Sequence, residues 1–184
     1  MVPMEYPGVP TVRTVPTADL DPGARQAIRH LLDLAFDGGF DDHDWDHAQG
    51  GSHLLITHDG VPVAHGAVVQ RRFLLGGRTL RCGYVEAVAV HPAWRRRGLA
   101  SAVMTEAERL IDGGFELGAL SASAAGRDLY LGRGWVVWQG PTAVLSPGGV
   151  VRTPEDDGGT LVRPVPGLDV TGELICDWRD GDVW

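Results

Sequence analysis

The sequence predicts an α/β fold of the α+β kind, with a mixed central sheet flanked by helices. Three observations predict it. Strand-type segments follow one another through two-residue turn signals, Asp59-Gly60 and Gly76-Gly77. Two segments with helical apolar spacing bracket those strands. A further strand, a short helix and more strands then follow the second helix.

Thr11–Val15 reads as a strand after a proline-rich start. Asp21-Pro22 is a helix start, with Asp as N-cap and Pro at the first position. Ile28, Leu31, Leu32 and Ala35 recur at helical spacing up to Gly38-Gly39. Asp41–Asp46 reads as an acidic loop. His53–His58, Val61–Leu75 and Thr79–Val90 read as three strands of a meander. A helix is expected from Gly98 to Ile111, with Leu99, Ala102, Val103, Ala107 and Leu110 inward. Leu117–Ser121 is a strand, and Ala124–Leu131 a short helix ended by Gly132. Trp135–Trp138, Thr142–Leu145 and Thr160–Pro164 read as strands, with a turn at Glu155–Gly159. Val165–Trp184 has no strong period. This divides the chain into a lead-in over 1–10, one domain over 11–165 and a C-terminal extension over 166–184.

At 184 residues the chain suits one domain with a sizeable core. Its apolar stretches are far shorter than the roughly 18–20 residues a membrane-crossing helix needs. The start, MVPMEYPGVP, lacks a basic region followed by an apolar run, so no signal peptide is expected and the cytoplasm is the default. Cys82 and Cys176 are expected as free thiols. His43 and His47 sit four apart, but no third ligand supports a metal, and none is expected. There are 24 acidic residues against 16 basic ones, all Arg, for a net charge of −8. Such a balance disfavours nucleic acid as a partner and is compatible with a cationic substrate.

The segment with most chemistry runs from Tyr84 to Met104. An apolar strand, Val85–Val90, leads through Pro92 into Arg95-Arg96-Arg97-Gly98-Leu99-Ala100, which opens a helix. A basic, glycine-containing loop at a helix N-terminus is an anion site: backbone N–H groups, the helix dipole and guanidinium groups converge there. Glu86 stands inside that apolar strand, where a carboxylate is costly unless solvated or paired. Read alone, it is either a general base or an outward-facing side chain.

Arg95-x-x-Gly98-x-Ala100 after that strand resembles the coenzyme A pyrophosphate motif of the GCN5-related N-acetyltransferase (GNAT) superfamily. Tyr84-Val-Glu86, Gly118–Ser121, Leu129-Tyr130, Arg133-Gly-Trp135, Gly140-Pro-Thr142, Arg152–Gly158 and Cys176–Trp184 further resemble the aminoglycoside 2'-N-acetyltransferase family. The chain departs from the family at Gly38-Gly39, where an acidic substrate contact can stand. The resemblance implies the GNAT acyl-CoA N-acyltransferase fold and acetyl-CoA as cosubstrate. It implies acetyl transfer to the 2'-amino group of aminoglycosides by direct attack in a ternary complex, hence a part in resistance. It implies Val88, Ala89 and Val90 alongside the pantetheine arm, with a backbone N–H polarising the thioester carbonyl. Arg95, Arg96, Arg97, Gly98, Leu99 and Ala100 would hold the pyrophosphate. Glu86 would be base or substrate contact, and Tyr130 the acid for the departing thiolate. Ala87, Ser121, Glu155, Asp156, Asp182 and Trp184 would contact the aminosugar, with the extension folded back on the site. A homodimer is the family expectation, without membrane or nucleic acid. Trp45, Trp178 and Trp184 are core or platform residues. Competing functions are acetyl transfer to another small amine, and coenzyme A binding without turnover.

Overall fold

The computed structural model describes residues 10–184, so the lead-in expected over 1–10 lies outside the described residues but for its last. The chain forms two compact units, each from two segments. Residues up to Val68 join Glu86–Ala107, and Val69–Val85 join Glu108–Trp184.

In the first unit, β1 (Arg13–Pro16) pairs antiparallel with β2 (Ser52–His58), and β2 pairs antiparallel with the first half of β3 (Val61–Leu75). The last residues of β4 (Arg78–Val90) lie beside β3, and His91 N–H donates to the Val63 carbonyl at 2.9 Å. Asp59 and Gly60, with φ of 50° and 80°, close the β2–β3 hairpin in the left-handed conformation a two-residue turn demands. Helix α1 (Pro22–Ala35) starts where expected: the Asp21 carboxylate accepts from Ala24 N–H at 2.8 Å. Ile28, Leu31 and Leu32 form its buried stripe. Leu20, Ile28, Leu32, Phe40, Leu55 and Ala89 make the core, with Val15, Trp45 and Ala87 against it.

The acidic loop expected at Asp41–Asp46 is instead a helix, α2 (Asp42–His47). A capping box starts it: Asp41 accepts from Asp44 N–H at 3.0 Å, and Asp44 accepts from Asp41 N–H at 2.9 Å. Helix α3 (Leu99–Gly114) is longer than expected. Its buried stripe is Leu99, Val103, Met104, Ala107 and Ile111, while Ala102 and Leu110 are only half-buried.

In the second unit the strand order is β6 (Val136–Val137), β9 (Thr160–Arg163), β5 (Leu117–Ser121), β4, β3, β10 (Leu174–Asp177), β7 (Thr142–Ser146), β8 (Gly149–Arg152). The β4–β5 and β10–β7 pairs are parallel, whereas β5–β9, β6–β9, β10–β3 and β7–β8 are antiparallel, so the sheet is mixed. Helix α4 (Arg127–Gly132) starts three residues later than expected. The sequence showed no period in Val165–Trp184, yet β10 forms there between β3 and β7. Phe73, Tyr84, Trp138, Val144, Leu174, Cys176 and Trp184 are among the buried residues of this core.

One cation lies deep in this unit. Arg71 is only 4% exposed. Its Nε donates to the Asp177 carboxylate and its Nη2 to the Asp177 carbonyl, both at 2.8 Å. Its guanidinium carbon stands 4.8 Å from the Tyr84 ring centroid and 5.5 Å from that of Phe73. The other Asp177 oxygen accepts from Arg72 N–H at 3.0 Å. Asp177→Ala strands this charge. Breaking a buried pair costs about 3–5 kcal/mol, and the partial exposure of Asp177 puts the expected loss near the lower end. Urea unfolding checks this; a loss below about 1 kcal/mol would mean the pair is not what holds β10.

Candidate active site

In the first unit, β4 ends in Glu86-Ala87-Val88-Ala89-Val90, with Ala89 buried and the other four half-buried. A 3-10 turn, Pro92–Trp94, follows, its N-terminus capped by His91 Nδ1 accepting from Ala93 N–H at 3.2 Å. Arg96 (φ 60°) and Gly98 (φ 75°) are both left-handed and turn the chain into α3. The first N–H groups of α3 have no intrahelical acceptor, and the dipole of a 16-residue helix adds to them. Gly98 leaves the loop without a Cβ at that turn. The arginines are unequal. Arg95 Nε donates to the Val90 carbonyl at 3.3 Å and its Nη2 to the Ala35 carbonyl at 2.9 Å, bracing the loop from behind. Arg97 lies over the Trp94 ring at 4.8 Å and donates to the Ala93 carbonyl at 3.3 Å. Arg96 is exposed, Leu99 buried and Ala100 half-buried.

Ala87 has φ 51°, left-handed for a residue with a side chain, within a strand. Its carbonyl accepts from His65 Nδ1–H at 2.8 Å. His65 Nε2 meets His53 Nδ1 at 2.9 Å, and His53 Nε2 meets Thr17 Oγ1 at 2.9 Å. Both imidazoles are fully buried. Burial pushes His65 down to about 3, against the raising effect of its bond to Ala87, and pushes His53 down to about 4. Both rings are therefore neutral at neutral pH. The sequence reading did not single out these residues. Their signal was the one that marked Glu86: a polar side chain inside an apolar strand.

In the second unit, Tyr130 of α4 is 8% exposed, and burial pushes its phenol up to about 12. It stays protonated at neutral pH. Its ring meets Trp135 edge-on at 6.4 Å. Trp135 Nε1 donates to Glu108 at 3.0 Å, and Arg133 grips the same carboxylate with two bonds of 2.8 and 2.7 Å. Ser121, exposed at the end of β5, stands opposite Thr160. The turn before Thr160 carries exposed Glu155 and half-buried Asp156. Burial raises the Asp156 carboxyl above its usual range, and Asp182 and Glu155 raise it further.

The tail is tied into this unit. Trp184 is 3% exposed and packs edge-on against Phe73 at 5.3 Å. Its Nε1 donates to Thr153 Oγ1 at 2.9 Å, and its carbonyl accepts from Arg179 at 2.9 Å. Asp182 is exposed. Trp184 is thus a core residue, Trp178 is exposed and Trp45 is half-buried. Cys82 and Cys176 are free and buried; burial pushes the Cys82 thiol well up and that of Cys176 up to about 11. Neither is prepared as a nucleophile.

Residues 26–134 match the family described as "Acetyltransferase (GNAT) family". An "Aminoglycoside 2'-N-acetyltransferase" of Mycolicibacterium fortuitum is 56% identical over 179 residues, which are 95% of this chain and 92% of that one. The chain belongs to the GNAT acetyltransferase family, whose members take the acetyl group from acetyl-CoA. Among solved structures, a GNAT family acetyltransferase of Brucella melitensis in complex with acetyl-CoA matches with a TM-score of 0.59 and 15% identity, over 89% of this chain and 94% of that one. Eis1 of Mycobacterium abscessus matches with a TM-score of 0.60 and 19% identity over 73% of this chain; the match covers 33% of Eis1, about a third of its length. These two likenesses are of fold. No helix among the described residues is long and apolar enough to cross a membrane.

The histidine pair gives the protein an acid liability. Both folded values lie below the unfolded one of about 6.5, so below that pH the unfolded chain binds protons that the folded chain refuses. Stability is unaffected by this above pH 6.5 and is lost as pH falls toward 4. The slope is about 1.4 kcal/mol per pH unit for each histidine. Urea unfolding from pH 7 to 4 is expected to show a shallower slope in His65→Asn than in the unaltered chain. Equal slopes would mean that His65 is charged in the fold.

Proposed function

We propose that this chain transfers the acetyl group of acetyl-CoA to the 2'-amino group of aminoglycosides, by direct attack within a ternary complex, and so contributes to resistance. The observation that carries the reading is the 56% identity to an aminoglycoside 2'-N-acetyltransferase over 95% of the chain. That identity extends far beyond the residues of the anion loop. The reading includes a cytoplasmic homodimer acting on a cationic small molecule, without membrane or nucleic acid.

The described residues fit an acyl-CoA. The first turn of α3 offers backbone N–H groups, and Arg96, Arg97 and Gly98 through Ala100 would line the pyrophosphate, with Arg95 as brace. The backbone of Val88, Ala89 and Val90 would run beside the pantetheine arm. Acetyl-CoA supplies the acetyl group. Glu86 takes a proton from the attacking amine through a water, and Tyr130 returns one to the departing sulfur. Ala87, Ser121, Glu155, Asp156 and Asp182 would position the aminosugar, with Trp184 buried as the anchor of the tail that carries Asp182. The buried, high-pKa thiols support direct transfer without an acetyl-enzyme.

Coenzyme A release with kanamycin B, which has a 2'-amino group, and kanamycin A, which has a hydroxyl there, tests the reading. Only kanamycin B is expected to be acetylated at the 2' nitrogen, as mapped by NMR, with intersecting initial-rate lines. Comparable rates on both sugars would remove the 2' assignment; parallel lines would remove direct transfer.

Glu86→Gln keeps the shape of the side chain and loses the base. Turnover is expected to fall by about 10²–10⁴-fold, with its acidic limb displaced. An unaltered pH–rate profile would leave Glu86 as a substrate contact alone.

A further inference from the structure

Thr17, His53 and His65 have no part in the chemistry above, yet they form one buried chain that ends on the strand carrying it. A carbonyl only accepts, so the bond to Ala87 places the His65 proton on Nδ1. A neutral imidazole has one donor and one acceptor. His65 Nε2 must therefore accept from His53 Nδ1–H, which leaves His53 Nε2 to accept from the Thr17 hydroxyl at 2.9 Å, the Gly51 carbonyl at 3.2 Å being the longer alternative for that hydroxyl proton. Every proton in the row points toward Ala87, and aligned donors polarise one another.

The far end of this row sets a backbone direction. The peptide between Ala87 and Val88 is trans, so the Val88 N–H points opposite to the Ala87 carbonyl. Ala87 lies at φ 51°, a conformation that costs free energy and persists only where its surroundings enforce it. Filling the core would not call for two imidazoles, since leucines fill similar space without four nitrogen sites to satisfy.

We propose that His65, backed by His53 and Thr17, is a positioning residue for acetyl transfer: it locks the Ala87–Val88 peptide so that the Val88 N–H meets the thioester oxygen of the acetyl donor. This rests on the function proposed above. A preformed donor there strengthens as charge gathers on that oxygen, so the gain falls on turnover rather than on binding.

The test uses the whole protein with acetyl-CoA labelled with carbon-13 at the thioester carbonyl, read by difference infrared spectroscopy. A hydrogen bond to that carbonyl lowers its stretching frequency. The unaltered protein is expected to lower it relative to free acetyl-CoA, and His65→Leu to abolish the shift. Turnover in His65→Leu should fall about 10²-fold while the Michaelis constant for acetyl-CoA changes less than about threefold. His65→Asn, which keeps an N–H at the Nδ1 position, should recover the frequency and most of the turnover. Thr17→Val, at the half-buried end, should lose turnover by less than about tenfold with a smaller frequency change.

The same frequency in His65→Leu and the unaltered protein would overturn the proposal. If His65→Leu does not fold, Thr17→Val decides: unchanged turnover and frequency there overturn it equally. An unaltered protein that binds acetyl-CoA with a lowered frequency but acetylates no aminoglycoside would instead sink the substrate assignment and leave the positioning role standing.

Discussion

Within the first unit, the bond from His65 to the Ala87 carbonyl is the constraint on which the end of β4 depends. A residue with a Cβ at φ 51° breaks the alternation of a strand, and the carbonyl it turns needs a donor where water is scarce. His65 supplies that donor, and His53 and Thr17 satisfy the nitrogens that His65 brings with it. Ala87 and Ala89 also pack against the core of Leu20, Ile28, Leu32 and Leu55, so polar and apolar contacts fix the same short stretch. That stretch carries Glu86 and leads directly to the arginine loop, whose own direction is braced by Arg95 on Val90 and Ala35. The strand end, the turned Ala87 peptide and the loop are one mechanical piece, built from local bonds.

The second unit follows a related rule with charge. The chain has no lysine, and arginine is the residue suited to partly buried pairing because its planar fork meets a carboxylate with two bonds. Arg71 on Asp177 holds β10 to β3, and Arg133 on Glu108 holds the end of α4 to α3. Glu108 also takes the indole of Trp135, which flanks the ring of Tyr130. Despite the cost of burial, these donors keep the Glu108 carboxyl below its usual range. Tyr130 has its position set by a charged network at one side and its proton retained by burial. On the proposed function, those two properties suit the group that returns a proton to the departing sulfur.

Much of this was legible in the sequence because it is local. Turn pairs and alternation placed β3 and β5 at their observed bounds, and Asp21-Pro22 placed the start of α1. The family was legible from Arg95 to Ala100 and from scattered segments such as Arg133-Gly-Trp135. What was missed was decided elsewhere. The Asp41/Asp44 capping box makes a helix of six residues that composition alone suggests should be a loop. Strand β10 has only four residues, Leu174–Asp177; its place comes from pairing with β3 on one side and β7 on the other. Strand β8 is four residues with little burial to give it a pattern. The histidines were visible as letters, but only the folded register brings His53 against His65.

Pairing on both sides fixes β10, and Arg179 and Thr153 then fasten the last residues, so Asp182 is held where its charge is felt by Asp156. Holding like charges close while one is half-buried works against stability, and the raised Asp156 carboxyl records it. Asp182 has a local task, since its carboxylate accepts from Trp184 N–H at 3.2 Å, and Asp156 sits in the turn at Pro154–Asp156, where its N–H donates to the Thr153 carbonyl at 3.0 Å. A substrate bearing several ammonium groups, as the proposed function has it, would relieve that repulsion on binding. On the proposed function, the same repulsion would favour a polycation over a monoamine, because one ammonium group neutralises only part of the cluster. On that function, charge alone favours an aminoglycoside over a simple amine, independently of the chemistry at Glu86.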